Sequence, residues 1–202
     1  MFKEQESLGL AIAALLLYVI SHRIAAKMPN QRRRAKADFV AFVLKAPANI
    51  HIVSGGGPGI MEAANLGALC PTPAVLEESL GRLAGTPSFR PSIEDWARVA
   101  LDAYDDIVRV PLQESTVRSV GIPTWFYGHE PPNVFCNGIA KYFSNAVRED
   151  GLLARATASL VVLHGAAGTV QEIFQSITPL YYAEEGRTLA PLVLVGVDHW
   201  SR

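Results

Sequence analysis

Cysteine is nearly absent: the 202 residues contain only Cys70 and Cys136. Two cysteines cannot build a disulfide framework, and they form no metal-ligand cluster with the scattered His22, His51, His129, His164 and His199. Both read as buried or half-buried thiols in a reducing compartment, so a cytoplasmic location is expected. A surplus of charge is missing too. Eighteen Lys and Arg against nineteen Asp and Glu leave a net charge of −1, which excludes an electrostatic nucleic-acid binder. Long apolar runs are lacking as well. Only Leu8 to Ile20 raises the membrane question, and its thirteen residues fall short of the roughly 18–20 that span a bilayer. The preceding Lys3-Glu4-Gln5-Glu6 is not the positive start of a signal peptide. The run reads as a helix packed on the core or on a partner subunit, with an interfacial anchor as the minor alternative and no membrane partner expected.

What is present is a chain half hydrophobic, of a length that suits one domain. Such a chain buries roughly 70% of its unfolded surface. Residues 1–36 are expected to form an N-terminal helical extension and residues 37–202 the folded domain. The basic cluster Arg32-Arg33-Arg34-Ala35-Lys36 opens a helical pattern through Phe39, Val40, Phe42, Val43 and Leu44, and reads as a solvated face. From Asn49 onward four short apolar runs stand out: Ile50–Val53, Ile122–Tyr127, Leu160–Leu163 and Leu192–Val195. They alternate little, as strands buried on both faces do. Helical stretches at Met61–Leu69, Ile93–Val108, Val134–Val147 and Val170–Tyr182 separate them, with Pro71, Pro73, Pro87, Pro91 and Pro111 punctuating a long connection. Strand–helix alternation predicts an α/β fold: an open parallel sheet with flanking helices, Rossmann-like.

In such sheets ligands bind beyond the carboxyl ends of the strands. After the first run comes Ser54-Gly55-Gly56-Gly57-Pro58-Gly59-Ile60-Met61-Glu62. After the second comes Gly128-His129-Glu130-Pro131-Pro132-Asn133, and after the third His164-Gly165-Ala166-Ala167-Gly168-Thr169-Val170-Gln171-Glu172. Glycines there let the backbone turn tightly and let a ligand approach its N–H groups. The unpaired N–H groups of a following helix favour an anion, and Pro58 suits a first helical turn. Two such junctions, Gly55–Met61 and Gly165–Thr169, would make a phosphate cradle in a protein that is not basic. The alternative is that the glycines only make tight turns. Neither loop has P-loop spacing, and the first lacks dinucleotide-fold spacing, which disfavours a nicotinamide-dependent oxidoreductase. Thr169-Val170-Gln171-Glu172 also reads as a capping box, so Glu172 either closes its helix or faces a ligand. Val170, Ile173, Phe174, Ile177, Leu180 and Tyr181 are the expected buried stripe of that helix.

At these residues the sequence resembles the LONELY GUY (LOG) family, often mislabelled lysine decarboxylase, whose members cleave nucleoside 5′-monophosphates to free base and ribose 5-phosphate. Gly55 to Ala63 resembles the first loop in the shorter form of the larger bacterial nucleotide nucleosidases, and Glu130-Pro131-Pro132-Asn133 is similar to a segment of that branch. The likeness runs from about Ala37 to Val197, with two loops about 110 residues apart. It implies that Glu172 is the catalytic glutamate, and that Gly165, Gly168 and Thr169 bind phosphate. With them, Gly55, Gly56, Gly57, Gly59, Met61 and Glu62 would contact substrate. An arginine precedes the motif in the family; Arg148 lies one residue off that spacing and Arg155 competes for the role. His164 stands where the family has proline, and Ala166 where it has a second glycine. No Gly-Ser-rich strand end is evident before Asn49, so the sheet is expected to lack the family's first strand.

The reading is N-glycosidic hydrolysis of a nucleoside 5′-monophosphate through an oxocarbenium-like transition state. Glu172 would stabilise that cation or orient the water, and Arg148 would contact the phosphate or the departing base. Neither cofactor nor metal is implied; none of the three loops holds the lysine a pyridoxal enzyme needs. A catalytically impaired nucleotide-binding or regulatory protein is the alternative. A homodimer or larger homo-oligomer is expected, through the Leu8–Ile20 segment and an open sheet edge.

Overall fold

The computed structural model describes residues 14–18, 50–110, 117–125, 130–165, 167–187 and 189–201. The Arg32–Lys36 cluster, the Phe39–Leu44 helical pattern, His129 and Ala166 lie outside these residues. Six strands form one all-parallel sheet: β1 (Ala14–Tyr18), β2 (His51–Ser54), β3 (Ser119–Gly121), β4 (Gly138–Ile139), β5 (Ser159–Val162) and β6 (Leu192–Leu194). Their order is β4-β3-β2-β1-β5-β6. The helices are α1 (Ile60–Leu69), α2 (Pro73–Leu83), α3 (Ile93–Arg109), α4 (Asn145–Leu153), α5 (Ala167–Tyr181) and α6 (Val197–Trp200). The fold is the expected open α/β sheet.

Its centre is a correction. Residues 14–18 are a strand, not part of a helix, and they pair in parallel with β2 through Leu16↔Val53 and with β5 through Leu16↔Leu160. The first strand that seemed missing is the central one. Its run of leucines carries no alternation, so periodicity alone could not separate a doubly covered strand from a buried helix. The sheet edges are instead β4 and β6, two and three residues long. Edges that short offer little for another strand to pair with.

Successive strand residues point to opposite faces, and both faces are covered. On one face Ile52 and Val161 meet Ala64 and Ala68 of α1. On the other Val53, Leu160 and Val162 meet Leu152 of α4, with Ile173 of α5 packed against them. Behind α1, Leu66 and Leu69 pack on Leu76 of α2 and on Ala100, Ala103 and Ile107 of α3. Helix α3 starts where Ser92 Oγ accepts from Asp95 N at 3.1 Å, with Glu94 and Asp95 in its first turn and Arg109 in its last. Both charge placements suit the helix dipole. Helix α2 occupies the connection expected to be broken by prolines. Pro73 sits at its start behind the Thr72 cap, where a missing N–H costs nothing.

Three other elements differ from the expected ones. The strand at this place is Ser119–Gly121, ahead of the run expected at Ile122–Tyr127, whose Phe126 and Tyr127 lie outside the described residues; Pro123 follows the strand and cannot donate to a ladder. The apolar run Val134–Val147 is not a helix: it holds β4, and α4 begins only after Ser144, whose Oγ accepts from Val147 N. Helix α5 does not bury the expected stripe. Ile173 and Leu180 are half-buried, whereas Val170, Phe174 (66% exposed), Ile177 and Tyr181 (80%) face outward. Among the described residues no helix is long and apolar enough to cross a membrane.

Two phenylalanines eight positions apart check this packing. Phe135 is fully buried, and Phe135→Ala should cost about 3–5 kcal/mol in urea unfolding. Phe143 is 76% exposed and stacked on Trp125, so Phe143→Ala should cost under about 1 kcal/mol.

Candidate active site

Parallel strands deliver every βα loop to the same rim. The order reverses at β1, with β2 on one side and β5 on the other, and that crevice is where open sheets bind ligands. Two inter-strand spacings separate the ends of β2 and β5, roughly 10 Å. The loop after β2 leads to α1 on one face, and the loop after β5 leads to α5 on the other. The site is therefore framed from both sides.

The first loop depends on glycine at two positions. Gly56 has φ of 72°, and a Cβ there would lie 3.3 Å from Gly121 Cα and from Pro123 Cδ. Gly59, at φ 81°, caps α1 with no side chain, leaving the helix N–H groups without a side-chain acceptor. Pro58 precedes that cap rather than occupying the first helical turn. Gly55 and Gly57 are partly exposed, and Met61 Cε lies so close to Gly57 that a Cβ there would meet it at 2.6 Å. Glu62 stands in the first turn of α1, half-buried.

A buried polar network holds this loop, and no sequence pattern marked it. Asn65 Oδ1 accepts from Ser54 Oγ at 2.6 Å and from Asn133 Nδ2 at 3.0 Å, while Asn65 Nδ2 donates to Ser119 Oγ at 2.9 Å. Asn133 Nδ2 also donates to Gly57 O at 2.8 Å, and its backbone N–H donates to Gly56 O. The Glu130–Asn133 segment is thereby pinned to the glycine loop. Ser54 Oγ in turn accepts from Gly56 N at 3.0 Å. Buried amides at such density are individually costly unless each is satisfied, and here they are.

Across the crevice, α5 begins at Ala167, so Gly168 and Thr169 lie in its first turn and Gly165 alone remains in the loop. The capping-box alternative fails on this geometry. Thr169 is inside the helix rather than at its cap, and neither Glu172 oxygen nor Thr169 Oγ1 has a hydrogen-bond partner, although all three are buried. Glu172 is 2% exposed and Thr169 fully buried. This helix buries Thr169 and Glu172 while Val170, Phe174, Ile177 and Tyr181 face outward.

Helix α4 faces Glu172 with Arg148 and Glu149, 3% and 4% exposed. Arg148 Nη2 donates to Asn145 Oδ1 at 2.7 Å and to Glu149 Oε1 at 3.2 Å. Glu149 Oε1 also accepts from Asn145 Nδ2 at 2.6 Å, and its Oε2 accepts from Gln171 Nε2 at 3.1 Å. Burial pushes the Glu172 carboxyl up to about 9; the Arg148 charge pulls it down, and the Glu149 charge pushes it further up. Arg155 sits beyond the other end of α4, its Nη1 donating to Gly151 O. Of the two arginines, only Arg148 reaches Glu172's surroundings. Glu149, Asn145 and Gln171 were not anticipated; the adjacent Arg-Glu pair reads as ordinary surface charge until the fold buries it.

Flanking this group, His164 is exposed and stacks on His199 of α6 at 4.3 Å between ring centres. Cys70 and Cys136 are free thiols that burial pushes up to about 12, so neither is a nucleophile near neutral pH. No group of three His, Cys, Asp or Glu among the described residues is placed to hold a metal. A cavity of about 340 Å³ opens elsewhere, lined by Leu153, Leu160, Gln175, Pro179, Arg187 and Leu192. It lies toward the amino end of the sheet, away from the loops.

No model of a known protein family matches the chain, and no curated protein matches it. Among solved structures, that of the structural-genomics protein TM1055 is similar at a TM-score of 0.48 and 14% identity, covering 92% of this chain and 94% of that one.

Asn65→Ala should strand several buried partners and lower unfolding free energy by roughly 2–4 kcal/mol. Glu172 carries a pH signature. Its folded value lies above the unfolded one, so its contribution is fully present at pH 4 and is lost as pH climbs toward about 9. Glu172→Gln should remove that loss, making the variant more stable than the wild type at pH 9 by about 1–3 kcal/mol and little different at pH 4. Thermal melts across that range measure it.

Proposed function

We propose that this protein hydrolyses the N-glycosidic bond of nucleoside 5′-monophosphates, releasing free base and ribose 5-phosphate, as the LONELY GUY-type loops suggest. The observation that carries the reading is a buried carboxyl with no partner, Glu172, held at the switch point of the sheet beside a buried arginine. An unpaired buried carboxyl costs stability, and such groups cluster where chemistry is done. The phosphate is assigned to the uncapped start of α1 and to the first turn of α5 with Gly165, Gly168 and Thr169, whose N–H groups suit an anion. Remote phosphate binding then holds the ribose for the reaction.

The raised carboxyl refines the role of Glu172. With its carboxyl raised to about 9 it carries its proton at neutral pH, so it acts first as an acid. As the C1′–N bond breaks, its electron pair goes to the base nitrogen, which takes the Glu172 proton. The carboxylate so formed stabilises the oxocarbenium ion; water adds its oxygen to C1′ and returns a proton to Glu172. Arg148 contacts the phosphate or the departing base. No cofactor takes part in this scheme. A second copy of the chain is assigned to the outward apolar face of α5, with Val170, Phe174, Ile177 and Tyr181.

One observation favours a second reading, nucleotide binding without turnover: Glu172 is shielded from water, so a substrate must uncover it. A panel of nucleoside monophosphates assayed for released base separates the two. Release is expected, with the matching nucleosides far slower, and Glu172→Ala should reduce it about 10²–10⁴-fold. Turnover should fall as pH rises through the Glu172 value of about 9. Calorimetric binding with no base released over hours would instead select the binding protein, and unchanged turnover in Glu172→Ala would remove that residue from the mechanism.

A further inference from the structure

We infer that Glu149 is a positioning residue of this site: by holding Arg148 on one carboxylate oxygen and Gln171 on the other, it offsets the guanidinium and keeps Glu172 available as the acid. The inference rests on the hydrolase reading and adds a residue to it.

The geometry comes first. Glu149 is 4% exposed, and both its oxygens accept: Oε1 from Asn145 Nδ2 at 2.6 Å and Arg148 Nη2 at 3.2 Å, Oε2 from Gln171 Nε2 at 3.1 Å. Its three donors come from two helices, α4 and α5. Gln171 immediately precedes Glu172, so the Glu149–Gln171 bond ties the first turns of α5 to the helix that carries Arg148. Asn145 completes the clamp, its Oδ1 accepting from Arg148 Nε at 3.1 Å and Nη2 at 2.7 Å. Neither Arg148 nor Gln171 bonds Glu172, whose own oxygens stay unpartnered.

Charge comes second. Among the described residues, Arg148 and Glu149 are the charged groups that act on Glu172. Burial is the larger force holding the Glu172 proton, and the Arg148 charge works against it, toward a carboxylate unable to protonate a leaving base. A second carboxylate bonded to that arginine restores the balance, as paired acids do wherever one must stay protonated. Asp150, next along α4, is engaged with Gln175 of α5 and extends the same seam without facing Glu172.

Glu149→Gln keeps the shape and removes the charge; Glu149→Asp keeps the charge. In Glu149→Gln the alkaline limb of kcat/KM for a nucleoside monophosphate should move to lower pH by about half a unit or more, the reach of one charge across a partly screened interior. Glu149→Asp should restore it toward the wild-type position. A purely structural role would lower kcat/KM at all pH values and leave the limb in place, and that result would overturn the inference while leaving the hydrolase reading intact. A second measurement needs no turnover. The pH-dependent stability difference between the wild type and Glu172→Gln reports the Glu172 proton directly, and in the Glu149→Gln background it should level off at lower pH. If it levels off at the same pH, Glu149 does not act on Glu172. If it shifts while no nucleotide is hydrolysed, the coupling stands and the hydrolase reading fails.

Discussion

Parallel pairing of β1 between β2 and β5 is the constraint on which the rest depends. It aligns six strands so that every βα loop leaves from one rim, and it places the reversal of strand order at the centre of the sheet. Because β2 and β5 are covered on both faces, Ile52 and Val161 on one side and Val53, Leu160 and Val162 on the other are committed to opposite layers. A slip of one residue would exchange those layers. The crevice between the β2 and β5 loops is thus a product of register.

The two sides of that crevice are built on different principles. The β2 side is a satisfied network: Asn65 joins Ser54, Ser119 and Asn133, and the glycine loop is pinned at Gly56 and Gly57. Such a network gives the loop a single shape, which a backbone anion site requires. The β5 side is less fully satisfied. Glu149 and Arg148 are bonded, while Glu172 and Thr169 beside them are buried with oxygens unpaired. One side of the crevice is thus rigidly satisfied, and the other holds buried polar groups whose hydrogen-bonding capacity is unmet.

The α5 helix shows how that demand is sustained. It buries Thr169 and Glu172 and turns Val170, Phe174, Ile177 and Tyr181 outward, the reverse of what a core-facing helix does. Both departures raise the free energy of the lone chain.

Much of this was legible in the residues. Strand–helix alternation implied the sheet, and the glycine-rich junctions and Glu172 were placed at the rim beyond its strand ends, because turns and helix starts are written in local chemistry. Where local signals conflict, the chain alone was ambiguous. The leucines of β1 suit a helix or a covered strand, Thr169–Glu172 suits a cap or a site, and Val134–Val147 is apolar without being helical. Only tertiary structure decided these. Pairing on both sides made β1 the central strand, and a helix start at Ala167 freed Glu172 from capping. The fold also buried Arg148 with Glu149 while leaving Arg155 outside. Burial and charge balance are properties of neighbours brought from distant parts of the chain, and no spacing along it records them.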